Sequence, residues 1–200
     1  MKNPVLDAPD LGLEVSDNAS GADNQQERPS IAAMPPSTGY YLAGFAHGEG
    51  SFIVACRRRA DYVRGWKISA AFNVSQADPE PLRLFRETLG CGSIRRGGHN
   101  GWYFEVNHLR DLASIVIPFF ERFPLMGAKA RDFQAFRTVV HILGRPPLEE
   151  DDYIEVLRLR EGMNNGGKRR HTMEGILRDY TPNSPSGTRR DEIVRSHGRP

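Results

Sequence analysis

From residue 51 onward the apolar side chains fall on every second position. In "SFIVACRRR", Phe52, Val54 and Cys56 share one face, while Ser51, Ile53, Ala55, Arg57 and Arg59 share the other. After "ADYVRG", the stretch "WKISAAFNVSQ" repeats the pattern, setting Trp66, Ile68, Ala70, Phe72 and Val74 against Lys67, Ser69, Ala71, Asn73 and Ser75. Two such runs predict a half-buried antiparallel hairpin with one apolar and one polar face. Around it the spacing becomes helical. Tyr41, Leu42 and Phe45 precede the hairpin at helical spacing, with Ser37 or Thr38 as the cap. In "ADPEPLRLFRETLG", Asp78 caps, Pro79 enters the first turn, Leu82, Phe85 and Leu89 form a stripe, and Gly90 stops the helix. "CGSIRRGGHNGWYFEVN" predicts a second hairpin turning near Gly97–Gly101, with the facing of Trp102 and Phe104 open. "HLRDLASIVIPFF" predicts a short helix ended by Pro118, and "AKARDFQAFRTVVHIL" a longer one striped by Phe133, Phe136, Val140 and Leu143. The order α-β-β-α-β-β-α-α over residues 38–144 describes an α+β core, a sheet backed by helices.

The flanks differ from this core. Residues 1–37 are polar, acidic and free of aromatics, the composition of a disordered leader, with neither the basic nor the apolar region of a signal peptide. Residues 145–180 form a helical extension. "LEEDDYIEVLRLREGM" places acids first and arginines last, matching a helix dipole. "NNGGKRR" is a basic linker, and Met173, Ile176, Leu177 and Tyr180 suffice for one more short helix. Whether this extension packs on the core or reaches along a partner is open, with "KRR" favouring the second. Residues 181–200 read as a disordered basic tail.

Net charge is only +2 over 200 residues, but it is unevenly spread. Residues 1–39 carry two basic side chains against six acidic, whereas residues 40–143 carry fourteen against nine. A basic body fits an anionic partner better than the whole-chain figure implies. Cys56 and Cys91 cannot build a disulfide framework or a four-ligand zinc site, and the six histidines show no H-E-x-x-H spacing. No apolar run approaches the roughly 18 residues of a membrane span. The expectation is a cytoplasmic protein with reduced thiols and no membrane partner.

One segment resists a bland reading: "YLAGFAHGEGSF", residues 41–52. Gly44 and Gly48 each cost a helix about 1 kcal/mol relative to alanine. They stand four apart, on one side of the helix, a spacing that lets two backbones approach closely. A single copy per chain makes the partner the same helix of a second chain, related by a two-fold axis. Glu49 then ends beside its symmetry mate, an arrangement that suits a hard divalent cation bound jointly with substrate phosphate. Gly50 lets the chain turn into the strand.

"LAGFAHGEGSF" resembles the LAGLIDADG motif of the homing endonucleases, and the order of helices and hairpins over about residues 38–143 is similar to theirs. The resemblance implies an αββαββαα core with a saddle-shaped antiparallel sheet. It further implies a homodimer on Leu42, Gly44, Phe45 and Gly48, and an enzyme of intron homing. Such an enzyme cleaves both strands of a long pseudo-palindromic DNA target by metal-dependent phosphodiester hydrolysis, with Mg²⁺ or Mn²⁺ as cofactor. Carried over residue by residue, Glu49 is the motif's metal-binding acid, with the Gly48 carbonyl beside the metal. Gln76 orders solvent around the attacking water, and Lys129 is the basic residue at the start of the late helix. Ser51, Ile53, Arg57, Arg59, Lys67, Ser69, Asn73 and Arg95 would contact the major groove, where Arg and Asn can read guanine and adenine. His47 stands where the family has an acid. Glu80 replaces a basic residue, with Arg83 one turn further on. The alternatives are a maturase binding intron RNA and a DNA-binding protein of the same fold whose catalysis has lapsed.

Overall fold

The structure, a computed structural model, describes residues 30–62, 64–98, 101–166 and 169–179. Most of the acidic leader, Lys168, Tyr180 and the basic tail lie outside these residues. The alternating segments form the expected hairpin. β1 (Gly50–Arg58) and β2 (Trp66–Gln76) pair antiparallel from Gly50↔Val74 to Arg58↔Trp66. β3 (Ser93–Arg96) and β4 (Trp102–Val106) form the second hairpin, and β4 joins β2, giving one antiparallel sheet ordered β1-β2-β4-β3. Phe104 and Val106 are buried with Phe72 and Val74, which resolves the second hairpin's facing.

Helices cover the apolar side of the sheet. α1 (Pro36–Glu49) leads into β1, and α2 (Glu80–Leu89) follows β2. As the spacing predicts, Leu82, Phe85 and Leu89 of α2 are wholly buried. The Glu80 N–H donates to the Asp78 carboxylate at 3.0 Å, and Gly90 ends the helix at φ 62°. Phe52 and Phe72 form the floor of the core. Their rings lie 5.1 Å from Phe136 and 5.2 Å from Phe120, and Phe85 stacks on Phe104 at 5.6 Å. Aromatic pairs at such separations add to the hydrophobic term. α5 (Gly127–Leu143) supplies Phe133, Phe136, Val139, Val140 and Ile142; Leu143 is only half-buried.

Three expectations are corrected and one open question is answered. First, α1 begins at Pro36 without a side-chain cap, and Ser37 and Thr38 lie inside it. Proline at the first turn lacks an N–H to satisfy and fixes a helical φ, so no cap is required. Second, the core reaches back into the nominal leader. A 3₁₀ turn spans Ile31–Ala33, Met34 is buried, and the Arg122 guanidinium donates to the Ile31 carbonyl. Third, Pro118 does not end its helix. α3 (Leu109–Asp111) passes through a π turn at Leu112–Val116 into α4 (Ile117–Arg122). The wider turn and a position early in α4 accommodate a residue without an amide hydrogen. Fourth, the extension packs on the domain.

That packing closes a sheet edge. α6 (Glu150–Gly162) opens with a capping box between Glu149 and Asp152, and α7 (Met173–Arg178) is capped by the Thr172 hydroxyl. Tyr153, Leu157 and Ile176 bury Cys56 and Trp66 in a small second core. The free edge of β1 presents carbonyls at alternate residues, and three in succession are capped by side chains. Lys129 donates to Gly50 at 2.5 Å, Asn164 to Phe52 at 3.1 Å and Arg160 to Val54 at 3.1 Å. An edge so occupied cannot pair with another strand. Arg64 fixes the far end of the first hairpin by donating to the Leu148 and Glu149 carbonyls at 2.6 and 3.1 Å. Among the described residues, no helix is long and apolar enough to cross a membrane.

Candidate active site and nucleic-acid interface

The α1–β1 junction gathers three side chains singled out above. Glu49 is the last helical residue and is exposed. Gly50 turns the chain at φ −84°, ψ 155°, an ordinary extended conformation. Its need for glycine is therefore steric rather than conformational, since a Cβ there would sit 2.5 Å from the Ala46 carbonyl oxygen. Lys129, in the first turn of α5, bonds the Gly50 carbonyl and so holds its ammonium one residue from Glu49. β2 runs two residues past the Gly50↔Val74 pair, which sets Gln76 beside the same junction on the helix-covered side. The Gln76 Oε1 accepts the Ala77 N–H at 2.7 Å, which fixes the amide orientation and leaves its NH₂ end to donate.

Among the described residues no three His, Cys, Asp or Glu side chains converge as a metal cage. A single chain offers one carboxylate, Glu49, and the carbonyl of Gly48 in a last helical turn whose oxygens have no partner further along the helix. This all-oxygen donor set fits a hard divalent cation completed by phosphate and water, and it does not fit zinc.

The polar face of the sheet begins at this junction. The pairs Ser51↔Asn73, Ile53↔Ala71, Ala55↔Ser69 and Arg57↔Lys67 point away from the core, and Ser75↔Tyr103, Asn73↔Glu105 and Arg95↔Tyr103 continue the surface across β4 and β3. All the residues expected on this face lie there except Arg59. It falls past the end of β1, in the hairpin turn, and chelates Asp61 at 2.6 and 2.8 Å. That hydrogen bond holds the Asp61 carboxyl below its usual range. Arg57 directly opposite Lys67 is a like-charge cross-strand pair, which destabilises a sheet standing alone. A polyanion laid on the face removes that repulsion. Glu105 sits within the basic field, half-buried, and accepts from Arg95 at 2.8 Å and Asn107 at 3.2 Å.

On the outer side of α1, Gly44 and Gly48 face open space, with nothing within 4 Å of a Cβ built on either. Tyr41 is half-exposed beside them, and its ring lies 6.2 Å from that of half-buried Phe45. Leu42 is not on this surface: it is wholly buried beneath the helix. At about 100° per residue, Leu42 and Gly44 diverge by about 200°, so the two cannot share one face.

The sequence profile of the LAGLIDADG endonuclease family matches residues 42–140, from the motif helix into α5. The chain belongs to this family. Its LAGLIDADG helix, sheet and α5 are thereby the family's shared unit. A Neurospora crassa protein named probable intron-encoded endonuclease 2 is 28% identical over 116 residues, covering 56% of this chain and 25% of that protein. The crystal structure of the homing endonuclease I-TnaI superposes with a TM-score of 0.61 at 27% identity, covering 70% of this chain and 94% of that one. I-SmaMI, bound to an uncleaved DNA target in the presence of calcium ions, superposes with a TM-score of 0.64 at 25% identity, covering 73% of this chain and 50% of that one. The chain spans about a quarter of the length of the curated relatives it matches.

Several residues of this surface escape the sequence reading. Tyr103 and Glu105 follow once Phe104 and Val106 are assigned inward, because period-two alternation then turns both outward. Arg160 is nearly buried at 6% exposure. It completes the stripe Tyr153, Val156, Leu157, Arg160, whose helical spacing was the available signal.

Proposed function

We propose that this LAGLIDADG protein is a site-specific DNA endonuclease, acting as a homodimer on a long pseudo-palindromic duplex in the service of intron homing. The observation that carries the reading is the junction itself. Glu49 ends a helix whose outer side is bare, Lys129 holds the carbonyl of the next residue, and Gln76 ends the neighbouring strand, all where the polar sheet face begins.

The chain's own residues then divide the work. Close approach of two α1 helices through Gly44 and Gly48 sets two Glu49 carboxylates side by side over opposed phosphodiester bonds. Glu49 and the Gly48 carbonyl would hold Mg²⁺ or Mn²⁺, which when bound supplies an activated water and stabilises the leaving oxygen. Gln76 cannot take a proton, but its NH₂ group can orient the attacking water. Lys129 offsets charge that builds on the phosphorus oxygens in the transition state. Arg57, Lys67, Ser69, Asn73 and Ser51 lie against the major groove, and Arg95 arrives already paired with Glu105, a carboxylate able to accept from cytosine. His47, where an acid is usual, stands in the last turn of α1, so the helix end carries one carboxylate fewer.

The test is incubation of the protein with plasmid carrying the DNA that surrounds its own coding sequence, with Mg²⁺. Linear product at one site supports the nuclease. Retarded but intact plasmid points to a DNA-binding protein that has lost catalysis, and stimulated splicing of the host RNA to a maturase.

A further inference from the structure

Along the outer half of β1 runs a groove of about 720 Å³, bounded by Ile53–Arg58 on one side and Arg169–His171 on the other. Among the described residues its lining holds five arginines, Arg57, Arg58, Arg160, Arg169 and Arg170, and no acid. Two of them are committed. Arg160 forms the floor, donating to the carbonyls of Val54 and His171 and to Glu161 at 3.0 to 3.1 Å. Arg58 reaches Asp179 at 3.5 Å.

Arg169 is the unbalanced one. Its Nη2 donates to the Met163 carbonyl at 2.8 Å, while its Nε–H is buried with no hydrogen-bond partner. The nearest carboxylate oxygen, on Glu161, stands 3.9 Å away and belongs to the acid that already pairs with Arg160. Two guanidinium groups, 7% and 15% exposed, thus share one acid. Burial and the neighbouring Arg160 charge both press Arg169 toward losing its proton. Exposed Arg170 and Arg57 flank it, adding positive charge that no acid among the described residues pairs. A cluster of positive charge of this kind suits an anionic ligand.

We propose that the groove is a backbone-phosphate site in which Arg169 and Arg170 grip DNA beyond the edge of the sheet. The inference rests on the duplex-binding reading above. The groove opens beside Ile53, Ala55 and Arg57, the same residues that start the polar face, so a duplex lying on the sheet carries its sugar-phosphate chain over it. Guanidinium forks match phosphate oxygens. A contact at the sheet's margin positions the protein and adds affinity without reading bases.

The experiment uses the full-length protein and the duplex it selects from a random-sequence pool, with Ca²⁺ as the only divalent cation. Arg170→Glu is the principal variant because its side chain is exposed; Arg169→Gln is the second, and a melting curve checks the fold of each. Each variant is expected to flatten the dependence of log affinity on log salt by about one unit. The ranking of mismatched duplexes should not change, and phosphate-ethylation interference should lose its outermost position. Wild-type slope and wild-type interference in Arg170→Glu overturn the proposal while leaving duplex binding intact. Failure of the wild-type protein to bind any duplex overturns both readings together. Loss of binding to structured intron RNA, with duplex binding unchanged, assigns the groove to RNA instead.

Discussion

Replacing Gly44 and Gly48 by alanine separates the needs of one subunit from those of the pair. Within one chain, both positions lie in α1 with nothing within 4 Å of the added methyl, so the substitution creates no clash. Removing glycine's backbone entropy then stabilises the helix, by nearly 1 kcal/mol at Gly44 and less at Gly48 in the last turn, or about 1–2 kcal/mol together. For a domain of this size that raises the melting temperature by about 2–4 °C per kcal/mol. In the proposed pair the effect reverses, because the methyl groups would hold two helix backbones apart. Urea and thermal melts at high dilution, where the subunit's own stability is read, should show the gain. Sedimentation velocity should show weakened self-association, and plasmid cleavage should fall. A double variant that is less stable when dilute would mean that the glycines serve the subunit. One that dimerises and cleaves like the wild type would mean that no close helix approach exists.

Arg160→Met keeps an aliphatic stem but orphans the carbonyls of Val54 and His171. With a partial offset from no longer burying a charge, urea unfolding should show a loss of about 2–4 kcal/mol at an unchanged m-value. Lys129→Met should lower the cleavage rate by about 10²-fold or more while duplex affinity in Ca²⁺ changes far less, as measured by single-turnover kinetics and filter binding. Burial raises the Cys56 thiol above its ordinary value. The unfolded chain therefore ionises first as pH rises, so the thiol's contribution to stability is complete below about pH 8.5 and declines above it. Urea midpoints across that range should fall more steeply for the wild type than for Cys56→Ala.

What the sequence disclosed follows from how local each signal is. Period-two alternation over residues 51–76 specifies pairing and facing together, because a slip of one residue would bury Arg57 and Lys67 and expose Phe52 and Phe72. α2 was equally plain, since its cap, stripe and stop are adjacent in the chain. Glu49 stood out because an acid at a helix C-terminus opposes the dipole. The errors lie where a residue's fate depends on distant chain. Leu42 belongs beneath α1 because β1 and β2 pack there, which helical spacing near Phe45 did not convey. Pro118 stays helical because a π turn absorbs it. Whether the extension packs on the core stays open in the sequence until Arg160 and Asn164 are found on the edge of β1, more than a hundred residues away in sequence. Similarly, the steric demand for glycine at position 50 comes from the preceding helical turn, not from an unusual backbone angle.

The most direct trial of the account is the Glu49→Gln variant, compared with the wild type on supercoiled plasmid bearing the target. The two proteins should melt alike and bind the duplex equally in Ca²⁺, and only the wild type should produce linear DNA in Mg²⁺. Linear product from the variant at the wild-type rate would show that the carboxylate at the end of α1 takes no part in the reaction.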